Sequence, residues 1–152
     1  MKIFLNNKIY YLFIISIFCT LDQLSKIYIN LNYERVLNKD LFIFSINFVR
    51  NYGAAFNIFE GSRFFLSFIS IISTIILSYF IFISETKLIN KYGLSFILAG
   101  TIGNGIDRIL NGYVIDFIEV KIIDFPVFNI ADIVINIGAL ILIISYLKYK
   151  NN

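Results

Sequence analysis

The sequence predicts a membrane α-helical protein in which a single domain, residues 1–152, crosses the bilayer four times with both termini in the cytoplasm. Hydrophobic residues make up 59% of the chain and charged residues only 15%, and the mean hydropathy is +0.80. Soluble domains are closer to one half apolar and one quarter charged. The chain also contains four separate apolar segments, and its basic residues are unevenly distributed between the connecting segments.

Four segments approach the roughly 20 mainly apolar residues that a membrane-spanning helix needs. The predicted spans cover approximately residues 9–31, 64–83, 92–110 and 130–147. The first has no charged residue from Ile9 to Leu21, and the second contains Ser and Thr but no charge. Segments 32–62 and 111–128 then lie on one side of the membrane, and the termini lie on the other side with the loop 84–91.

Positive charge concentrates on the side that holds the termini. The termini and the loop 84–91 carry six basic residues and one acidic residue, whereas the rest of the chain carries seven basic and nine acidic residues. Because cytoplasmic loops carry the excess of Lys and Arg, both termini are predicted to be cytoplasmic. A cleaved N-terminal signal is the less favoured alternative, since bulky Phe18 precedes Cys19 and the helical pattern continues beyond it.

Composition restricts the chemistry that the chain can perform. It has no His and a single Cys, which excludes Ser-His-Asp and Cys-His sites and an internal disulfide. The net charge of +3 is too small to indicate nucleic-acid binding. Acid–base chemistry near neutral pH must therefore use carboxylates, Lys, Tyr or the one thiol.

Polar residues recur at helical spacing toward the outer ends of three predicted spans. They are Asp22 with Lys26, Asn104 with Asp107 and Arg108, and Asn129 with Asp132 and Asn136. Each Asp lies 14 to 16 residues from a Lys at the cytoplasmic end of its own span, a rise of roughly 21–24 Å in a hydrocarbon core about 30 Å thick. Because charges that face lipid are costly, we expect the stripes to face one another and form a polar pocket. Purely structural hydrogen bonding is the alternative, above all for Asp22 with Lys26.

The first outward segment is predicted to contain a strand. Residues 41–49, LFIFSINFV, are rich in Phe and Ile and are too short to span the membrane as a helix. We expect the strand to break at Arg50-Asn51-Tyr52-Gly53, where the small residues Gly53, Ala54 and Ala55 permit close backbone approach. The segment is either a hairpin turn or a surface that holds an extended peptide by main-chain hydrogen bonds.

The second outward segment begins with a turn signal, Asn111-Gly112. If the chain turns back there, Asp116 returns to the pocket, whereas a continued helix would carry it roughly 13 Å further outward. The neighbours of Asp116 in the sequence are apolar. We therefore expect its carboxylate to be partly desolvated, with a raised pKa.

Two carboxylates are the catalytic pair that this composition allows, and we favour Asp116 with Asp132. Two Asp side chains held close together share one proton, because both cannot ionise easily. The ionised one can take a proton from water, while the protonated one polarises a scissile carbonyl and helps protonate the leaving amine. A carboxylate-lined proton or ion path and a non-catalytic scaffold are the alternatives. A proton or ion path should cross the whole membrane. The inner halves of the spans lack ionisable residues, which counts against this alternative.

Five motifs in order carry a family resemblance. They are Asp22-Gln23-Leu24-Ser25-Lys26, Asn51-Tyr52-Gly53-Ala54-Ala55-Phe56, Gly103-Asn104-Gly105-Ile106-Asp107-Arg108, Val114-Ile115-Asp116-Phe117 and Phe128-Asn129-Ile130-Ala131-Asp132. With them, the chain resembles the signal peptidase II family (lipoprotein signal peptidases) over about residues 8–148.

The resemblance implies an aspartic endopeptidase of the bacterial cytoplasmic (inner) membrane with its active site at the outer face. Such enzymes remove signal peptides from diacylglyceryl-modified prolipoproteins by cutting on the N-terminal side of the lipidated Cys, and the antibiotic globomycin blocks them. The family's catalytic dyad falls on Asp116 and Asp132. Its supporting positions fall on Asp22, Lys26, Asn51, Gly53, Asn104, Asp107, Arg108, Asn129 and Ala131.

The resemblance also implies a small extracytoplasmic β-rich cradle between the first and second helices. It implies no metal or other cofactor, no nucleic-acid partner, and a monomer whose partners are membrane lipid and the lipidated substrate. The chain departs from the family where Ala99-Gly100 replaces the usual Gly-Gly. Glu119, Lys121 and Asp124 match no motif of the family, so their role in the outer loop is open.

Overall fold

The computed structural model describes residues 2–37, 39–54 and 58–150. Ala55 and Phe56 of the predicted small-residue segment lie outside the described residues. Within these ranges the chain forms four long helices and three short strands. In chain order they are α1 (Lys2–Val36), β1 (Asp40–Leu41), β2 (Phe44–Asn51), α2 (Arg63–Phe82), α3 (Leu88–Leu110), β3 (Val114–Val120) and α4 (Ile130–Lys150).

Three of the helices are long and apolar enough to cross a membrane. They are α1 from Lys8 onward, α2 and α4. The third predicted span, 92–110, is confirmed as a helix, but α3 does not reach the apolar composition of a membrane span. Its polar side chains are turned inward, where Ser95, Asn104 and Asp107 are buried. Helix α3 therefore forms the centre of the bundle, with each of the other helices packed against it.

Small residues bring α3 and α4 into close contact. A Cβ atom at Gly100 would overlap the carbonyl of Ala131, and one at Gly138 would overlap the carbonyl of Gly93. Small residues at helix interfaces allow membrane helices to approach each other at the backbone. This close approach brings the polar stripe of α3 alongside the N-terminal turn of α4.

The strands form one antiparallel sheet in the order β1-β2-β3. In the β2–β3 pair, Phe44 lies opposite Val120 and Asn51 lies opposite Val114, with a register shift between Ile46 and Val49. The prediction of a strand within residues 41–49 is confirmed for most of its length. The break expected over residues 50–53 comes in the second half of that stretch, because β3 pairs with β2 as far as Asn51 and satisfies its backbone groups.

The position predicted for the β-rich cradle needs a correction. Among the described residues, β1 and β2 lie between the first and second helices, whereas β3 comes from the segment between α3 and α4. The chain turns back after α3 at Gly112, whose φ of +83° suits glycine. The sheet rests on the C-terminal end of α1 through a buried cluster of Ile29, Val36, Ile115 and Phe117. These apolar contacts place the end of β3 next to the polar end of the helix bundle.

Candidate active site

Strand β3 delivers Asp116 to the interior of the protein. Its side chain is 2% exposed, and each of its carboxylate oxygens accepts a hydrogen bond from a side-chain amide. Asn51 at the end of β2 donates from Nδ2 to Oδ2 at 2.9 Å, and Asn129 donates from Nδ2 to Oδ1 at 2.6 Å. The turn at Gly112 therefore returns Asp116 to the polar pocket, as the sequence predicted.

Asp132 belongs to a capping box at the start of α4. The Asn129 side chain accepts the backbone N–H of Asp132 at 3.0 Å, and the Asp132 carboxylate accepts the backbone N–H of Asn129 at 3.2 Å. This reciprocal pair satisfies two N–H groups that a helix start leaves without partners, and it places a carboxylate near the positive end of the helix dipole. The spacing of Asn129 and Asp132 therefore serves both the helix and the site.

Asn129 connects the two carboxylates. Because its Oδ1 accepts the N–H of Asp132, its Nδ2 must face the other way, where it donates to Asp116 and, at 3.1 Å, to Asn104 Oδ1. Asn104 in turn donates from Nδ2 to Asp132 Oδ1 at 2.8 Å. Two neutral amides thus hold Asp116 and Asp132 in one hydrogen-bond network, although the two residues are separated by a loop.

A buried ion cluster lies beneath this network. Lys26 Nζ lies 2.8 Å from Asp22 Oδ2 and 3.0 Å from Asp107 Oδ2, and it donates to Asn104 Oδ1 at 2.9 Å. The ammonium therefore uses all three of its donors. Because an ammonium only donates, it faces the oxygen of the Asn104 amide and leaves the NH₂ group for Asp132. The ion cluster consequently determines which way the Asn104 amide is oriented in the site.

Asp22 also fixes the start of α4, since its Oδ1 accepts the backbone N–H of Ala131 at 2.9 Å. Gln23 joins the same cluster, although it was not predicted as a site residue. Its Nε2 donates to Asp107 Oδ1 at 3.2 Å, to the carbonyl of Gly103 at 3.0 Å and to Asp22 at 3.3 Å. The sequence did contain a signal for this role, because Gln23 is an amide next to the charged Asp22 inside an apolar span.

Arg108 does not pair with Asp107, although the two residues are adjacent. Its guanidinium donates to the carbonyl of Gly53 at 3.1 Å and to that of Asn104 at 3.4 Å, while its buried Nε has no partner among the described residues. The contact with Gly53 holds the segment after β2 against α3. The same segment is tied to Asn51, whose Oδ1 accepts the N–H of Gly53 at 2.9 Å.

The environment of Asp116 changes its acidity. Burial away from water, together with the nearby charge of Asp132, raises the pKa of its carboxyl to about 6 against the opposing effect of the hydrogen bond from Asn51. The desolvation expected for this residue is therefore present. A carboxyl with a pKa near 6 can hold a proton close to neutral pH, as an acid catalyst must.

A cavity of about 860 Å³ opens beside Asp132, between α2, α3 and α4. Asn104, Arg108 and Asp132 line its polar end, and the rest of its wall is largely apolar, with Ile69, Ser70, Ser73, Thr101, Phe125, Pro126, Val127, Phe128, Ile133, Ile135, Asn136, Ile137 and Leu140. Its size and lining are typical of a pocket for an organic ligand with a long apolar part.

The predicted site residues therefore lie together, at the end of the bundle where the sheet meets the helices. In the ranges that the structure describes, no group of three or more His, Cys, Asp or Glu side chains is arranged to hold a metal ion. The three unmatched outer-loop residues Glu119, Lys121 and Asp124 line a separate open groove at the far end of β3. There Glu119 accepts a hydrogen bond from the hydroxyl of Ser45 at 2.8 Å.

Comparisons with known proteins point to one family. A family model described as signal peptidase (SPase) II matches residues 14–148. The lipoprotein signal peptidase of Caldicellulosiruptor bescii is 43% identical over 141 residues, covering 92% of this chain and 91% of the relative. That of Gloeothece citriformis is 38% identical over 140 residues, covering 87% and 85%. A bacterial membrane enzyme solved by the in meso method at 1.9 Å resolution is similar with a TM-score of 0.82 and 36% identity, covering 91% of this chain and 93% of that chain.

Proposed function

The chain belongs to the signal peptidase II family, and from this premise we propose that it is an aspartic endopeptidase that removes signal peptides from prolipoproteins. Its substrates carry a diacylglyceryl group on a Cys, and it cuts on the N-terminal side of that Cys. The observation that carries the proposal is the network in which Asn129 bonds both Asp116 and Asp132 at the polar end of a largely apolar cavity.

The two carboxyl groups have different surroundings, which suit different roles. Asp132 lines the cavity, so it is the carboxylate that takes a proton from water as the water oxygen attacks the scissile carbonyl carbon. Asp116 is buried and holds its proton to about pH 6, so it supplies the proton to the carbonyl oxygen. When the C–N bond of the tetrahedral intermediate breaks, the proton held by Asp132 passes to the leaving amine, and one hydroxyl of the intermediate returns its proton to Asp116 as the carbonyl forms again.

The remaining site residues position this pair. Asn104, Asn129 and Asn51 donate to the two carboxylates, and the guanidinium of Arg108 supplies positive charge beside Asp132 at the cavity wall. The ion cluster of Lys26 holds Asn104 from below, since its ammonium bonds the amide oxygen of that residue. The contact of Arg108 with the carbonyl of Gly53 holds the segment after β2 beside the site, where a peptide substrate can lie.

The membrane arrangement follows from the same features. We propose that α3 is the fourth span, because its Asn104 and Asp107 side chains are buried inside the bundle. Four spans with both termini in the cytoplasm place the dyad in the outer leaflet of the bacterial cytoplasmic membrane. A diacylglyceryl chain anchored in that leaflet holds its peptide bond at the same depth. Globomycin would bind at this site in a monomeric enzyme.

The proposal is tested by incubating the purified full-length protein in detergent or lipid with two precursors that differ only in the diacylglyceryl group on the Cys. We expect cleavage of the modified precursor immediately before the Cys and no cleavage of the unmodified one. Mass spectrometry of the products identifies the cut. Failure to cut the modified precursor, or equal cutting of both, would contradict the proposed substrate class.

A further inference from the structure

Three polar side chains line the cavity on the inner side of the catalytic pair and take no part in the chemistry described above. They are Ser73 of α2, Thr101 of α3 and Asn136 of α4, which together are called the polar shelf. In the part of the chain that the structure describes, none of the three forms a hydrogen bond to the protein. By contrast, the neighbouring Thr74 donates its hydroxyl to the carbonyl of Ser70 at 2.8 Å.

The hydroxyl groups of Ser73 and Thr101 lie at the same depth on facing helices. A Cβ atom at Gly105 of α3 would lie 3.1 Å from the Cβ of Ser70, so these two positions are level with each other. Ser73 comes three residues further along α2, and Thr101 comes four residues earlier on the antiparallel α3. Both therefore lie roughly 5 Å deeper than that level, toward the cytoplasmic side.

Asn136 completes the shelf from the third wall of the cavity. It follows Asp132 by four residues on α4, so it lies on the same helix face about 6 Å deeper. Its side chain is exposed from the protein and forms no hydrogen bond to any described residue. An amide without a partner in hydrocarbon costs several kcal/mol, which indicates that this residue has a polar ligand when the cavity is filled.

The chemistry of the cavity changes in a definite order along its length. Asp132 stands at the outer end, the polar shelf follows one helical turn deeper, and the apolar residues Ile137 and Leu140 lie beyond it. A diacylglyceryl cysteine has the same order of groups, from its peptide bond through two glycerol esters to its acyl chains. With the peptide bond at Asp132, the ester carbonyls are several bonds away, which matches the depth of the shelf.

We propose that the polar shelf binds the ester carbonyl oxygens of the diacylglyceryl group, with Asn136 Nδ2 and the hydroxyl groups of Thr101 and Ser73 as donors. This inference rests on the proposed function. Ester oxygens accept hydrogen bonds and do not donate them, and all three shelf residues can donate. The shelf therefore makes the enzyme selective for acyl esters over lipids of the same length that lack the carbonyl groups.

The test compares two precursors, one carrying a diacylglyceryl Cys and the other a dialkyl-ether Cys with chains of the same length. We expect the wild-type enzyme to cut the ester precursor with a kcat/KM roughly three- to tenfold higher, as the loss of one or two neutral hydrogen bonds implies. Asn136→Leu and Thr101→Val keep the side-chain size. Each should lower kcat/KM for the ester precursor toward the ether value and leave the ether value unchanged.

Thr74→Val is the matched control, because it removes a hydroxyl from the same region of α2 that is already bonded within the helix. It should retain the full preference for the ester. Equal cutting of ester and ether by the wild type would overturn the inference, as would an equal loss on both substrates in Asn136→Leu, which would indicate contact with the peptide. Failure of the wild type to cut either precursor would instead overturn the proposed function.

Discussion

Replacing Asp116 with Asn should make the protein more stable at alkaline pH while removing its activity. The pKa of this buried carboxyl is raised from 3.8 to about 6. The folded state therefore holds the proton more tightly than the unfolded chain does. Between these two pH values the free energy of unfolding falls as pH rises, and the total loss is about 3 kcal/mol once both states are ionised. Asp116→Asn abolishes this loss because an amide does not ionise.

The new amide carries a cost of its own. Asn51 and Asn129 both donate to the Asp116 carboxylate, and the NH₂ group of an Asn at this position would face one of these donors. The loss of that hydrogen bond costs about 1 kcal/mol. We therefore expect Asp116→Asn to raise the free energy of unfolding by about 2 kcal/mol at pH 8 and to lower it by about 1 kcal/mol at pH 4.

The assay is thermal or denaturant unfolding of the purified protein in one detergent across pH 4 to 8. Asp124→Asn serves as the control, because that residue is exposed in the same outer segment and its carboxylate is hydrated in both states. The stability difference between Asp124→Asn and wild type should not change with pH. A stability difference between Asp116→Asn and wild type that is constant across this range would refute the account of the buried carboxyl.

Three further predictions follow from the site. Lys26→Met leaves Asp22 and Asp107 buried without their cation, so chemical unfolding should show a loss of about 3–5 kcal/mol in stability; a change below 1 kcal/mol would contradict the role of the ion cluster. Gly103→Ala places a Cβ 2.5 Å from Asp22 Oδ2. The free energy of unfolding obtained from thermal melts should therefore fall by about 1–3 kcal/mol, and an unchanged melting temperature would mean that α1 and α3 can move apart without cost. In a pH–rate profile, kcat/KM should decline above about pH 6 as Asp116 loses its proton; a rise over this range would reverse the assigned acid and base roles.

The sequence was most informative where helical spacing decided the outcome. The polar stripes of the spans share one depth, as the ion pairs of Lys26 with Asp22 and Asp107 show. The turn at Gly112 also brings Asp116 back to the bundle. These predictions succeeded because a buried charge inside an apolar bundle requires a partner, and few partners exist in this composition.

Features that depend on tertiary contacts could not be predicted from spacing. Residues Asp107 and Arg108 are adjacent in the sequence, but neighbours in a helix point about 100° apart, so one faces Lys26 and the other faces Gly53. The third strand of the sheet comes from a distant segment, and local sequence does not show which strand pairs with which. The role of Gln23 likewise depends on acceptors contributed by another helix.

The most direct measurement of the central claim is the turnover of a diacylglyceryl-modified precursor by Asp132→Asn and Asp116→Asn, compared with wild type in the same membrane preparation. Both changes preserve side-chain size, and unfolding curves verify that the variants are folded. The account predicts that each variant loses at least about a hundredfold in kcat while remaining folded. Turnover by either folded variant at a rate near that of the wild type would contradict the assignment of these two residues as the catalytic pair.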